Sequence, residues 1–251
     1  MEHITSRKNR IITHLKSLST DGAYRREAGE FICDGEKLLR EAISCGAKVS
    51  CVLWGGEAFE IPSEIEQYSC PAELMQHVSP LKSSQGPVFS VKIPDGGEQS
   101  KNVQGSVLVL ENVQDPGNVG TVIRTANALG ICAVVLVGDC ADLYNPKTVR
   151  ASMGAIFRQR VLEVKLDALS AFISENGLRL YGAALSETAE DIRNTDMKKI
   201  AVAVGSEGRG LSEALLSLCD GQLIIPMQPG SESLNAAVAA SIIMWEMRRT
   251  Q

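Results

Sequence analysis

The amino-acid sequence predicts an α/β protein in which a helix-covered parallel sheet follows a smaller α/β unit. From residue 106 onward, short apolar runs alternate with helical patterns, which is typical of parallel sheets. The stretch 91–106 is rich in Gly, Pro, Ser and other polar residues, as linkers are. A shorter alternation precedes that stretch. We therefore predict a domain over 1–98, a linker over 99–106 and a second domain over 107–251.

The elements of the first domain follow from apolar spacing and from stop signals. Apolar residues at helical spacing predict a helix over 6–18. The next elements are a strand over 30–35 and a helix over 36–46, which Gly46 ends. The remaining predicted elements are a strand over 48–56, a helix over 71–80 and a strand over 86–94.

The second domain is predicted to alternate more regularly. Gly130 ends its first helix, and Pro146 lies in the first turn of its second helix. Ligands of such sheets bind at the carboxyl ends of the strands. The predicted elements are, in order, strand 106–113, helix 118–130, strand 132–139, helix 145–157, helix 166–177, strand 178–185, strand 198–208, helix 211–219, strand 221–227 and helix 233–249.

Composition excludes several classes of protein. No apolar run reaches the ~18 residues of a membrane span, and the polar N-terminus has no signal-peptide core. The seven cysteines form no CxxC pair, which favours reduced thiols in a cytoplasmic protein. The three histidines all precede residue 80, so the second half has no Ser/His/Asp triad or zinc site. We therefore expect no metal and no membrane partner.

The net charge of −5 gives no indication of nucleic acid binding, but its distribution is uneven. Residues 1–26 contain six cations and two acids. This basic segment is either a solvated face or a surface for nucleic acid.

Three loops that follow predicted strands carry the residues suited to chemistry. In the first, 112–120, Gly117 and Gly120 allow close backbone approach, and Asn118 either caps the next helix or holds a ligand. This loop is not a dinucleotide fingerprint, because GxGxxG is absent, and it lacks the GK[ST] of a P-loop. The second, 204–212, places Glu207 and Arg209 among three glycines, which favours backbone contact with a ligand.

The third loop is irregular and leads into an Ala-rich helix. Ser231 or Ser233 is predicted to cap that helix. Asn235, in its first turn, needs a partner for its amide. The three loops together suit a cofactor held by backbone groups, with an adenine ring in an apolar slot that Ile225, Met227 and Leu234 could provide.

The motifs "NVQDPGNVGTVIRTANALG", "AVAVGSEGRGLS" and "LIIPMQPGSESLNAAVAASIIMWE" resemble, in order and spacing, the three motifs of the SpoU/TrmH family of RNA 2′-O-ribose methyltransferases, part of the SPOUT class. The resemblance covers 107–248, and "RASMGAIF" is similar to the segment between the first two motifs. The N-terminal half resembles, more weakly, the RNA-binding domain found before the catalytic domain in many members, which is itself similar to certain ribosomal proteins.

The resemblance implies a parallel α/β domain with a C-terminal trefoil knot, a homodimer formed through that domain, and S-adenosylmethionine as the cofactor. Carried over to this chain, the cofactor contacts are Gly205, Ile225 and Leu234, with Met227, Ser233 and Glu207 nearby. We expect RNA to bind the first domain through Arg7, Lys8, Arg25 and Arg26.

The resemblance also implies catalytic roles. Asn118 and Arg124 would face the ribose, while Glu207 and Asn235 would orient them. Arg124 either helps to deprotonate the 2′-hydroxyl or clamps an RNA phosphate; a guanidinium stays protonated in proteins, which makes the second role physically easier.

We expect a ribosomal RNA substrate, with large-subunit RNA as the preferred case. Transfer RNA remains an alternative, as does an inactive RNA-binding module of the same fold. A nucleotide-dependent oxidoreductase is disfavoured by the missing glycine fingerprint.

Overall fold

The chain folds into two compact units. The computed structural model describes residues 1–81, 84, 86–94, 102–186, 188–228 and 233–249. The first unit contains Met1–Asp95 and Asp142–Phe157, and the second contains Gly96–Ala141 and Arg158–Gln251. The domains predicted from sequence therefore differ from these units over 142–157, a stretch that packs with the first unit. In the described part of the chain, no helix combines the length and apolar character needed to cross a bilayer.

The strands are short and spread over the whole chain. In chain order they are β1 (Glu2–His3), β2 (Glu30–Asp34), β3 (Val49–Trp54), β4 (Glu66–Ser69), β5 (Val88–Lys92), β6 (Val107–Glu111), β7 (Ala133–Val137), β8 (Val161–Glu163), β9 (Arg179–Ala183), β10 (Glu190–Asp191), β11 (Ile200–Val204) and β12 (Gly221–Ile224).

The helices alternate with these strands. In chain order they are α1 (Arg10–Thr20), α2 (Gly22–Ala28), α3 (Glu36–Ser44), α4 (Ala72–Val78), α5 (Pro116–Leu129), α6 (Pro146–Ser152), α7 (Leu166–Glu175), α8 (Glu213–Leu216) and α9 (Ala236–Arg249), with a 3₁₀ turn over Ala155–Phe157.

The second unit is built on a parallel sheet with the strand order β10-β12-β9-β11-β6-β7-β8. Each neighbouring pair of these seven described strands is parallel. β6, β7 and β11 are buried along their whole length, which explains their near-continuous apolar sequences. The predicted α/β class with a parallel sheet is confirmed. The loops that leave the carboxyl ends of β6, β11 and β12 start from one edge of this sheet.

The first unit contains a mixed sheet with the order β1-β4-β3-β5-β2, in which β5 is antiparallel to both β3 and β2. Side chains alternate between its two faces. Ile32 joins an apolar cluster with α1 and α4, whereas Phe31 and Cys33 join a second cluster on the other face.

The segment 142–157 completes the second of these clusters. Val149 of α6 is only 1% exposed, and the ring of Phe31 packs against those of Tyr144 and Phe157 at centroid distances of 4.7 and 6.2 Å. The single helix predicted over 145–157 is wrong. Met153 (φ 50°) ends α6 in the left-handed region, and Gly154 (φ 91°) keeps the chain there before the 3₁₀ turn.

Other differences from the sequence prediction lie at element ends and in short or polar elements. α5 begins at Pro116 rather than at 118, and α8 is a single turn. Five elements were not predicted from the sequence, namely β1, β4, β8, β10 and α2. β1 and β10 are two residues long, and β4 has no buried residue, so no apolar alternation marks them.

Candidate active site

The first site loop turns directly into α5. The Asp115 carboxylate caps this helix, because its Oδ1 accepts a hydrogen bond from the Asn118 backbone N–H at 2.8 Å. Pro116 occupies the first helical position, where its missing N–H costs nothing. The sequence allowed Asn118 as a cap of this helix, but Asp115 caps it instead. Its amide side chain is left available for other contacts.

The second loop closes on itself immediately after β11. A Cβ added at Gly205 would lie 2.1 Å from the carbonyl carbon and oxygen of Gly210, so only glycine fits there. The Gly210 N–H donates to the Ser206 carbonyl at 2.8 Å and closes the turn. Glycine is therefore required at position 205 at least in part because the backbone of Gly210 lies so close to it. The turn presents the exposed side chain of Glu207.

A buried carboxylate holds the far end of this loop. Glu111, the last residue of β6, is 2% exposed. It accepts hydrogen bonds from the Ser212 backbone N–H at 2.7 Å and from the Ser212 hydroxyl at 2.6 Å. Ser212 also caps α8. Glu111 was not predicted from the sequence, although a lone acid that ends the apolar run "VLVLE" was a signal for a buried polar role.

The third loop ends at Asn235, whose side chain caps α9. Its Oδ1 accepts hydrogen bonds from the backbone N–H groups of Ala237 and Val238 at 3.0 and 3.2 Å. The predicted serine cap is therefore wrong for Ser233, which is exposed and lies three residues before the helix. Ser231 lies outside the described residues.

The three loops bring Asn118, Glu207 and Asn235 together, as the sequence analysis expected. The Asn118 Nδ2 donates to Glu207 Oε1 at 2.9 Å, and Asn235 Nδ2 donates to Asn118 Oδ1 at 3.1 Å. Asn235 Nδ2 also donates to Glu207 Oε1, which accepts a further bond from the Ala236 N–H at 3.3 Å. The start of α9 favours a carboxylate at this position. We call these three residues the amide–carboxylate cluster.

The hydrogen-bonding capacity within the cluster is unevenly used. Asn235 uses both of its N–H hydrogens and accepts two bonds, so it is saturated. Asn118 keeps one N–H hydrogen, and Glu207 Oε2 accepts no bond from another described residue. The groups that remain open to a substrate therefore belong to Asn118 and Glu207.

Arg124 is not brought to this cluster. It lies six residues after Asn118 on α5, about 9 Å further along the helix axis. Its side chain is exposed and makes no hydrogen bond or ion pair with any other residue that the structure describes. Such a guanidinium is available to an external anion.

The predicted cofactor residues lie at the same sheet edge. Gly205 directly follows β11, and Ile225 directly follows β12. The backbone groups of 225–228 form no hydrogen bond with another described residue. Ile225, Met227 and Leu234 are half-buried, and Ser233 is exposed. Open backbone groups beside apolar side chains suit an adenosyl group, so the residues present fit S-adenosylmethionine.

The predicted RNA-binding cations of the first unit divide into two groups. Arg7, Lys8 and Arg26 are exposed. Arg25 does not fit the prediction: it is 5% exposed, and its Nη2 donates to Asp142 Oδ2 at 2.6 Å. Its Nη1 also donates to the Leu18 carbonyl at 2.8 Å. Arg25 therefore holds α2 to the start of the segment 142–157 and is not free to meet a phosphate.

Burial, followed by the charges of Lys16 and Arg7, lowers the pKa of His77 on α4. No group of three or more His, Cys, Asp or Glu side chains suited to a metal ion occurs among the described residues.

Comparisons with known proteins agree with this geometry. Residues 105–245 match the SpoU rRNA Methylase family. The chain is 34% identical, over 99% of its own length and 100% of the relative's, to the 23S rRNA (guanosine(2553)-2′-O)-methyltransferase RlmP of Bacillus subtilis (strain 168). It is 29% identical to the 23S rRNA (uridine(2479)-2′-O)-methyltransferase of Streptomyces viridochromogenes, over 98% and 91% of the two chains.

Solved structures give the same result. The AdoMet-bound rRNA methyltransferase from Sinorhizobium meliloti superimposes with a TM-score of 0.88 at 25% identity, over 99% of this chain and 97% of that one. The SpoU methyltransferase AviRb from Streptomyces viridochromogenes, in complex with AdoMet, gives a TM-score of 0.86 at 26% identity over 96% and 98%.

Proposed function

Because this chain belongs to the SpoU rRNA methylase family, we propose that it transfers a methyl group from S-adenosylmethionine to a ribose 2′-hydroxyl of ribosomal RNA. The observation that carries the proposal is the amide–carboxylate cluster, in which residues 28 to 117 positions apart in sequence converge at one edge of the sheet. The relatives named as 23S rRNA 2′-O-methyltransferases support ribosomal RNA as the substrate. A ribosomal RNA substrate in turn favours the cytoplasm as the location.

The residues of the site have different tasks. S-adenosylmethionine, when bound, supplies an electrophilic methyl group. We assign its binding to the backbone near Gly205 and to the open backbone groups of 225–228, with Ile225, Met227, Ser233 and Leu234 around them. The open N–H of Asn118 and the Oε2 of Glu207 orient the ribose hydroxyl. Asn235 holds both in place, since its own hydrogen bonds are already satisfied.

Arg124 is assigned to the RNA phosphate next to the target ribose. A guanidinium stays protonated in proteins and is therefore a poor base, whereas its planar fork suits a phosphate. Its exposure and the absence of a described protein partner support this role. Holding the phosphate fixes the hydroxyl relative to the methyl donor, and such positioning accounts for a large part of many rate enhancements.

The assay is transfer of a radiolabelled methyl group to in vitro transcribed, unmodified 23S RNA, followed by digestion to nucleosides. We expect the label in a 2′-O-methylated nucleoside. Asn118→Ala is expected to lose at least about 100-fold in rate, whereas Asn127→Ala, an asparagine of α5 outside the cluster, is expected to behave like the wild type. Label on a base, or equal activity of the two variants, would contradict the proposal. A parallel reaction with transfer RNA tests that alternative substrate.

The exposed cations Arg7, Lys8 and Arg26 are proposed to contact RNA. Their combined replacement by Ala should weaken RNA binding and reduce the slope of log K against log salt by about 0.7–0.9 for each lost phosphate contact. Arg25 is left intact in this variant because its loss would destabilise the fold of the first unit rather than only remove a surface charge. An unchanged salt slope would place the RNA elsewhere.

A homodimer formed through the second unit is also proposed, together with the C-terminal trefoil knot that the family resemblance implies. Trp245 (59% exposed) and Val238 (47% exposed) lie on α9 around an apolar hollow of about 410 Å³ that reaches Asn118 and Asn235. Exposed apolar patches of this kind favour a protein partner. Sedimentation of Trp245→Glu tests this point: we expect a monomer from the variant and a dimer from the wild type.

A further inference from the structure

The first unit contains an apolar pocket that takes no part in the site described above. It is enclosed by the end of β2, by α3, by Pro80 and Leu81 after α4, and by α6, and its volume is about 200 Å³. Its walls are mainly apolar and include Leu38, Leu81, Val149 and Met153. Small-molecule sites for larger ligands usually measure about 300–1,000 Å³. This pocket therefore suits a flat group of one or two rings.

Buried hydrogen bonds keep the pocket preformed. The Asp34 carboxylate accepts bonds from the hydroxyls of Ser79 at 2.5 Å and Ser84 at 2.8 Å. The Ser79 Oγ in turn accepts a bond from the Leu81 N–H at 2.8 Å. The wall formed by Leu81 is thus tied to the end of β2, and entry of a ligand requires little ordering of the protein.

The mouth of the pocket carries two cations. Lys37 and Arg150 both line it and are exposed, and neither makes a side-chain hydrogen bond or ion pair with another residue that the structure describes. Met153 lies beside them, 50% exposed and held in the left-handed region at φ 50°. A non-glycine residue is uncommon in that region, and the thioether of methionine packs well against flat rings.

These features match the chemistry of a single nucleotide. Its base is flat and largely apolar on both faces, and the phosphates on either side of it are anionic. Unpaired bases of RNA are commonly splayed out and held by protein pockets, because bases inside a duplex cannot be read in this way.

We propose that this pocket receives one unpaired base of the RNA substrate, with Lys37 and Arg150 on the adjoining phosphates. The proposal rests on the proposed function, since it identifies how the same substrate is held. It makes the enzyme selective for RNA that offers an unstacked nucleotide.

The test uses the entire 251-residue chain and a mixed-sequence 12-nucleotide RNA containing one 2-aminopurine, whose fluorescence rises when the base leaves its stack. We expect a severalfold rise with the single strand and little change with the matching duplex. Met153→Trp, which blocks the mouth, should remove the rise and weaken single-strand binding about tenfold. Met153→Ala, which opens the mouth, keeps the fold and should retain most of the rise.

The cations are tested separately. Lys37→Ala and Arg150→Ala should each reduce the single-strand salt slope by about 0.7, whereas Lys48→Ala, an exposed cation outside the pocket, should not. An absent fluorescence rise in the wild type, or an undiminished rise in Met153→Trp, would assign the pocket to another occupant and overturn the proposal.

Methyl transfer by the same proteins separates this failure from failure of the proposed function. If the wild type methylates no RNA, the proposed function fails. The binding measurement then still tests whether the pocket receives an unpaired base. If Met153→Trp methylates 23S RNA with an unchanged KM, the pocket proposal alone is overturned.

Discussion

Replacement of Gly205 by Ala separates two explanations of the glycine loop. If Gly205 serves only to let the cofactor approach, the added methyl should weaken cofactor binding and little else. The structure indicates instead that the methyl would meet the backbone of Gly210 at 2.1 Å and the Leu211 nitrogen at 2.4 Å. Carbon contacts normally lie at about 3.5–4.0 Å, so the loop must move by more than about 1 Å.

The expected cost of this movement follows from the surroundings of the loop. Backbone atoms cannot rotate away as side chains do, so we place the loss near the upper end of ordinary overpacking, about 3 kcal/mol. Glu207 moves with the loop, and a displacement of about 1 Å at a reacting group lowers the rate by about 100-fold. Urea denaturation measures the first effect, and methyl transfer at saturating S-adenosylmethionine measures the second.

Two neighbouring glycines serve as matched controls. Gly208→Ala places its methyl in open space, with no atom within 4 Å, and should change stability by less than about 0.5 kcal/mol. Gly210→Ala meets no neighbour but has a φ of 65°, so it should lose about 1–2 kcal/mol through backbone strain. A Gly205→Ala protein that is as stable as Gly208→Ala and fails only to bind cofactor in calorimetry would refute the self-contact explanation.

Three further predictions follow from the same structure. Arg124→Ala should lower methyl transfer at least about 100-fold with cofactor affinity unchanged in calorimetry; near-normal turnover would contradict its assignment. Glu111→Gln should lower the free energy of unfolding by about 2–3 kcal/mol, because two charge-assisted bonds to Ser212 weaken together. In urea denaturation, a loss of stability smaller than that of Ser212→Ala would contradict this role of the buried carboxylate. Burial raises the pKa of Glu30, but hydrogen bonds from His14, Lys92 and Ser90 outweigh it and lower the value from 4.5 to about 2. The pKa of Glu30 is thus depressed in the folded state, so Glu30 should contribute about 3 kcal/mol to the free energy of unfolding above pH 4.5, and this contribution is lost as the pH falls towards 2. In Glu30→Gln, this part of the dependence of stability on acid pH should disappear from denaturation curves.

The central parallel sheet could be predicted because its strands carry their own signal. β6, β7 and β11 are buried on both faces, so each appears in the sequence as an unbroken apolar run that helices separate. β4 has no fully buried residue and β1 only two residues, and neither leaves such a trace. Position in the sheet, rather than strand propensity, decided which strands could be found.

The members of the amide–carboxylate cluster could be predicted from the sequence, but the hydrogen bonds that they make with one another could not. Three polar residues after three strands of a parallel sheet must lie near one edge, which brings Asn118, Glu207 and Asn235 close. Which amide is saturated and which is open depends on individual hydrogen bonds, and no sequence pattern contains that information. The capping role of Asn235 was given to serines for the same reason, since several residues before a helix have suitable side chains.

Arg25 shows a different limit. In the sequence it is one of several cations in a basic segment, and nothing distinguishes it from Arg26. Its burial depends on Asp142, which lies 117 residues away and belongs to a segment that the sequence assigned to the other domain. Charge counts cannot separate a cation that faces solvent from one that is neutralised by a distant acid.

The double role of Asn235 has a consequence for how this protein can change. The oxygen of this side chain caps the start of α9, and its nitrogen donates hydrogen bonds to Asn118 and Glu207. The fold and the chemistry therefore both depend on one side chain. A substitution that keeps the oxygen but loses the nitrogen, such as aspartate, would leave the helix intact and set a second negative charge against Glu207. Activity can therefore be lost at this position while the start of the helix is kept, and an inactive descendant of this fold could retain its shape after the exchange of one amide nitrogen.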